Sequence, residues 1–179
     1  MPKPVDRIEI RTKLTRSTSG SGWHYLEFKK SVVDRFGFTG KYKRVVCTIN
    51  GGKGFQCALL PSGGLFYIIV NKKRRDELGI SGGDRVSVLL ERDTSKYGLP
   101  MPEEFREVLD QDPEGDRLFH ALTDGKQRSL LHFIGQRSDV DERITYSLVI
   151  VEHLKNNDGA IDHHQLHKEL KALSNPDIY

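Results

Sequence analysis

Only two cysteines and one tryptophan stand in 179 residues, and aromatic residues make up 8% of the chain. No apolar run approaches the roughly 20 residues needed to span a bilayer. The N-terminus, Met-Pro-Lys-Pro-Val-Asp-Arg, has no apolar signal region, which predicts a cytoplasmic protein without membrane insertion. The absences are chemical too. There is no Gly-x-Ser-x-Gly elbow, Walker loop or dinucleotide fingerprint, and no cysteine cluster spaced for zinc. Gly51-Gly52-Lys53-Gly54 sets a lysine among glycines, but its spacing and the missing helix make it a hairpin turn. No catalytic residue and no cofactor are assigned, and the chain reads as a non-enzyme.

What is present is charge, unevenly spread. The chain is 36% hydrophobic and 30% charged, which suits a soluble protein with modest cores. Its net charge of +3 hides an asymmetry. Residues 1–95 hold 18 Lys and Arg against 9 Asp and Glu, whereas residues 96–179 hold 10 against 16. The halves could attract each other, or the basic one could present a surface to an anionic partner.

The basic half contains a duplication. Phe66 to Val70 is a buried-strand pattern, Asn71 caps a short helix Lys72 to Leu78, Gly79 stops it, and Ser81-Gly82-Gly83-Asp84 turns into a strand with Val86, Val88 and Leu90 on one face. Residues 24–49 repeat this plan: Phe36-Gly37-Phe38-Thr39-Gly40 answers Leu78-Gly79-Ile80-Ser81-Gly82 at a shift of 42. Lys30 answers Lys72, Asp34 answers Asp76 and, after one extra residue, Arg44-Val45 answers Arg85-Val86. One such unit cannot bury its own apolar face, so the two copies are expected to interlock. Ile8, Ile10, Thr12 and Leu14 alternate as a first strand, and Ser17 to Gly22 is a plain linker. Hairpin arms 44–50 and 55–60 flank the glycine turn, Pro61 to Gly64 leads into the second copy, and Tyr25 and Phe28 are expected to pack inward with Val45, Cys47 and Ile49. That hairpin would set Cys47 opposite Cys57, read as two small buried thiols in preference to a redox pair.

The segment Val70-Asn71-Lys72-Lys73-Arg74-Arg75-Asp76-Glu77-Leu78-Gly79-Ile80-Ser81-Gly82-Gly83-Asp84-Arg85-Val86 resembles the swapped-hairpin element of AbrB-type transcription regulators and MazE-type antitoxins, though their proline is Asn71 or Lys29 here. Gly22-Trp23-His24-Tyr25, Thr48-Ile49-Asn50-Gly51 and Phe55-Gln56-Cys57-Ala58-Leu59-Leu60-Pro61 extend the likeness to a bacterial family of unknown function. That family builds a double-split β-barrel from one chain, which implies a fold and, because the barrel closes within one polypeptide, permits a monomer. It implies no activity.

Strand signals cease near Asp93 to Gly98, and helical ones follow. Pro102 opens a helix with Phe105, Val108 and Leu109 on one face, and Asp112-Pro113 restarts one with Leu118, Phe119 and Leu122. Asp124-Gly125 is read as a break before Lys126 to Gln136. Ser138 to Glu142 is a capped start, with Ile144, Leu148, Val151 and Leu154 as the buried stripe behind it, and a last helix runs from about Asp162 to Leu173. Pro102-Glu103-Glu104-Phe105, Ala121-Leu122, Ile134-Gly135-Gln136-Arg137 and Glu142-Arg143-Ile144 resemble the YdeI/OmpD-associated family, also labelled bacteriocin-protection proteins. That family has Ala-Lys where Gln136-Arg137 stands, and a basic residue at Tyr146 or Ser147.

Three candidate sites follow. Lys72, Lys73, Arg74 and Arg75, with Lys29, Lys30, Lys43 and Arg44 (and Lys41 beside them), could meet the phosphates of a duplex, or could simply be a solvated face. Trp23, Tyr25, Thr48, Asn50 and Tyr67 could hold a small ligand at the barrel mouth, or Thr48 and Asn50 could only satisfy backbone groups. His163 and His167, four apart on a helix, could grip a divalent metal opportunistically. The other histidines, His153 among them, carry no signal.

The fold class expected is α+β: a duplicated double-split β-barrel at 1–95 and a small helical domain at 96–179. The function expected is a non-catalytic binding or adaptor protein in stress, bacteriocin or envelope protection, with an unidentified protein or small ligand as partner. The alternative is a nucleic-acid-binding regulator.

Overall fold

The computed structural model describes residues 3–40 and 43–173, so Lys41 lies outside the described residues. The chain divides into two compact units, Met1–Thr94 and Ser95–Tyr179. Each has a hydrophobic core of its own.

The first unit holds β1 (Arg7–Arg16), β2 (His24–Lys29), α1 (Lys30–Asp34), β3 (Arg44–Ile49), β4 (Phe55–Ala58), β5 (Leu60–Ser62), β6 (Leu65–Ile69), α2 (Lys72–Leu78) and β7 (Arg85–Arg92). The strands form one sheet in the order β4-β3-β7-β1-β2-β6-β5, which curls into a nearly closed barrel. β1 is shared between its two sides: Arg7 to Lys13 pair with β7, and Leu14 to Arg16 pair with β2. The strands at the two ends of the sheet, β4 and β5, are joined through Leu59. Leu59 is buried and donates its N–H to the carbonyl of Lys43 at 2.8 Å, so the chain switches sides of the barrel there. The expected arm 55–60 is therefore two strands, and Leu60 to Ser62 pairs with β6 as a hairpin of its own.

The duplication is visible residue by residue. β2 pairs antiparallel with its equivalent β6, and β3 with its equivalent β7, the arrangement that two copies related by a two-fold would give. Leu26 and Phe28 are buried, as are their counterparts Ile68 and Val70; Val45, Cys47 and Ile49 are buried, as are Val86, Val88 and Leu90. Lys30–Asp34 (2.6 Å) and Lys72–Asp76 (2.5 Å) are equivalent surface pairs one helical turn apart. Gly37 and Gly79 stop their helices at φ of 62° and 63°, where any side chain would be strained. The copies differ at the helix start. Asn71 accepts the N–H of Arg74 at 2.9 Å, whereas Lys29 makes no side-chain cap, and α1 is two residues shorter than α2.

Two expectations on register are corrected. Tyr25 does not face inward with Phe28. Alternation puts Leu26 and Phe28 in the core and leaves Tyr25 half-buried on the outer face. Cys47 and Cys57 are not directly opposed either, because Cys47 faces Phe55 and Cys57 faces Val45. Both are free thiols, and a hydrogen bond to Cys57 together with burial pushes the Cys47 thiol far up, in its unreactive form.

The second unit contains α3 (Glu103–Gln111), α4 (Pro113–Ala121), α5 (Asp124–Gly135), α6 (Val140–Asn156) and α7 (His163–Leu173). α6 touches each of the other four. Asp112 caps α4 and Asp139 caps α6, each accepting a backbone N–H at 2.9 Å. Asp124-Gly125 is no break but the first turn of α5; the chain turns at Leu122 and Thr123 instead. Buried Gln127 donates to the carbonyls of Phe119, His120 and Leu122, satisfying the end of α4. Among the described residues no helix is long and apolar enough to cross a membrane.

Candidate functional site

The basic turn is divided by the structure. Lys72 and Lys73 point to solvent, and Lys72 is paired with Asp76. Arg74 lies flat over the Phe55 ring, 3.8 Å from its centroid. Arg75 occupies the position that Val33 takes in the first copy, and its Nη1 donates to the Val70 carbonyl at 2.7 Å. Lys29 and Lys30 are exposed, Lys43 sits 5.7 Å over the Phe66 ring, and Arg44 lies 4.0 Å from Asp93. The cations expected on all sides of one helical turn thus fall into an outer lysine pair and an inner arginine pair.

The small-ligand group is not brought together. Tyr25 and Tyr67 meet edge to face with centroids 6.1 Å apart on the outer face of β2 and β6, and Trp23 is 58% exposed. Thr48 and Asn50 stand on β3 and just beyond it, with β7 and β1 between that strand and β2. Asn50 exchanges two bonds with Ser87, its N–H with one carbonyl and its Oδ1 with one N–H, so it closes a strand end. Side chains fill the barrel interior. His163 and His167 are both exposed on α7. Among the described residues no three His, Cys, Asp or Glu side chains converge as a metal site. A histidine with a defined role is His153, which is buried. Its Nε2 accepts the N–H of Asp162 at 3.1 Å, so Nδ1 carries the proton that it donates to Glu169 at 2.8 Å, and this joins α7 to α6.

A concave surface lies between α3 and α6. Two ion pairs hold these helices side by side in the same direction. Near their starts, Arg143 donates to Glu104 through Nε at 2.9 Å and Nη2 at 2.8 Å; near their ends, Lys155 reaches Asp112 at 3.1 Å. The Arg143 hydrogen bonds hold the Glu104 carboxyl below its usual range. For Asp112 the N–H of Gly115 does so first, with Lys155 second. Between the ties lies a groove of about 910 Å³. Its floor includes Val108, Ile144, Leu148 and Val149. Its rim carries Glu103, Glu104, Glu107, Asp112 and Glu152, with no Lys or Arg in the lining among the described residues.

This groove corrects the expected core stripe of α6. The core takes Ser147, Ile150, Val151 and Leu154, while Ile144 and Leu148 are 38% and 54% exposed. α6 is therefore apolar on two sides, one covered and one open.

Residues 99–157 match the family described as bacteriocin-protection, YdeI or OmpD-associated. Residues 11–90 match a family described as a domain of unknown function, DUF1905. No curated protein matches the chain. Both resemblances read from the sequence are thus met, one in each unit, and neither match bears on kinship to AbrB. The YdeI/OmpD-associated match holds all of α3 and α6, so the groove lies inside it. At the positions where that family has a basic residue, Ser147 is fully buried and Tyr146 stacks on Phe133 with the Arg137 guanidinium 5.2 Å from its ring. Sequence reasoning missed the groove because Ile144 and Leu148 carry the same i, i+4 spacing as core residues. The available signal was the acidic excess of residues 96–179, concentrated in part on α3 as Glu103, Glu104 and Glu107.

Proposed function

We propose that this chain is a non-catalytic binding protein whose α3–α6 groove takes a helix of a partner protein, in the service of bacteriocin or envelope protection. One observation carries the reading: Ile144 and Leu148, one turn apart on a well-capped helix, lie open on the groove floor. Large apolar side chains grouped on a concave surface mark interaction sites, and anchors one turn apart suit the apolar face of a second helix. The acidic rim argues against an anionic ligand there and for a partner with basic flanks. The protective role comes from the bacteriocin-protection family that residues 99–157 match.

For the first unit we propose a double-split barrel of the AbrB-like type completed within one chain, supported by the antiparallel pairing of β2 with β6 and β3 with β7. Its duplex-binding alternative draws less support, since Arg74 and Arg75 are engaged with the Phe55 ring and the Val70 carbonyl.

The test is a strain lacking the gene, complemented with the wild type or with Leu148→Asp. Leu148 is more than half exposed, so the variant should melt like the wild type. Protection against bacteriocin should be restored by the wild type and lost with Leu148→Asp. Full protection by a normally folded Leu148→Asp protein would remove the groove from the function.

A further inference from the structure

We infer that the helix accepted by the groove is cationic and about three turns long, with Lys or Arg flanking an apolar stripe; this rests on the groove reading above. The length follows from the two ties. Glu104 to Asp112 spans eight residues of α3 and Arg143 to Lys155 twelve of α6, so the floor between them runs roughly 12–18 Å at 1.5 Å per residue. A longer apolar stripe would run past Arg143 or Lys155, whose charges close the two ends.

The charge follows from how the rim is neutralised. Of its five carboxylates, Glu104 is held by Arg143. Asp112 and Glu152 share one ammonium, Lys155, at 3.1 and 3.4 Å. Among the described residues Glu107 accepts only from the neutral amide of Gln111, at 2.6 Å. Glu103 meets Arg106 at 3.8 Å with both side chains largely in solvent, a contact worth little. Negative charge is therefore left on both walls, on α3 at Glu103 and Glu107 and on α6 at Glu152. Glu103 and Glu107 are one turn apart and line up along the groove. A helix lying on Ile144 and Leu148 would carry its flanking side chains over those carboxylates. Lysine or arginine there gains Coulomb energy and can lay its methylene stem along the apolar floor, whereas glutamate is repelled. A second copy of this chain fits less well, because pairing groove to groove would set the acidic rims against each other, and the exposed side of α2, Lys72, Lys73, Asp76 and Glu77, presents no apolar stripe.

The full-length protein is titrated against three fluorescent helical peptides by anisotropy. All have Leu at i, i+4, i+7 and i+11; the flanking positions are Lys in one, Gln in the second and Glu in the third. At about 20 mM salt the Lys peptide should bind at least about tenfold tighter than the Gln peptide, the Glu peptide weakest, and the gap should shrink at about 300 mM. Glu103→Gln/Glu107→Gln/Glu152→Gln should lose the preference for Lys, and Leu148→Asp should lose the Lys and Gln peptides together. Equal affinity for Lys and Gln peptides, both abolished by Leu148→Asp, would overturn the cationic partner and leave the groove reading standing. Binding indifferent to Leu148→Asp, or none at all, would sink both. Sedimentation showing a dimer that Leu148→Asp dissociates would assign the groove to a second copy and overturn the proposal.

Discussion

Gly115 shows how one hydrogen atom positions a helix. It lies buried in α4 against α6, and a Cβ built on it would stand 2.3 Å from Cγ1 of Val151 and 3.2 Å from Cγ of Asp112. Two effects oppose each other on Gly115→Ala. Alanine gains about 1 kcal/mol in helix propensity, while forcing a methyl into a filled contact costs about 1–3 kcal/mol. The clash wins because Val151 is buried on the facing helix and cannot swing away. Urea denaturation should show Gly115→Ala destabilised by about 1 kcal/mol, and a second change, Val151→Ala, should relieve the overlap though not the lost burial. His153 acts at the same scale: its tautomer is fixed by one acceptor and one donor partner, which makes it a structural link and no metal ligand in waiting.

At the scale of elements, α3 and α6 depend on carboxylates that must stay ionised. Glu104 and Asp112 have folded-state pKa values below their ordinary ones. Their contribution is therefore complete above the ordinary carboxylate range, about pH 4, and is lost as pH falls through the lower folded values. Asp162, held down first by the N–H of Gln165 at the start of α7, adds to the same trend. Thermal melts should change little with pH from neutrality to about pH 5 and then fall steeply toward pH 3. Glu104→Gln should start lower at neutrality and lose less across the acid window. A wild-type melting temperature flat to pH 3 would contradict the role given to these pairs. In the first unit the same scale explains why α2 outlasts α1: Asn71 caps one, and lysine cannot cap the other.

For the whole molecule, the two cores share no residue among the described residues. The barrel uses β4 and β5, joined at Leu59, to bring its sheet nearly round, and the helical unit is organised on α6. Units of this size bury enough surface to fold alone, if only marginally. Fragments 1–94 and 95–179, made separately, should each give a cooperative urea transition with native-like circular dichroism. A fragment that stays unfolded would show that its core needs the other unit.

Much of this was legible in the chain. The duplication, its paired glycine stops, the Asn71 helix and the caps at Asp112 and Asp139 are local properties, written in period and in residue type. Period-two alternation also set Phe28, Val45, Cys47 and Ile49 inward, but Tyr25, expected among them, stands an odd number of residues from Phe28 and so falls on the outer face, with Leu26 taking the inward place. What the chain could not decide was which of two apolar faces a helix covers. Ile144 and Leu148 have the spacing of core residues, yet the core of α6 lies on its other side because α4, α5 and α7 pack there. Arg74 and Arg75 have the composition of an exposed cationic turn, yet an aromatic ring on β4 and a carbonyl at the end of β6 draw them in. A residue's character is set by its own atoms, but its exposure is set by what the rest of the chain places beside it.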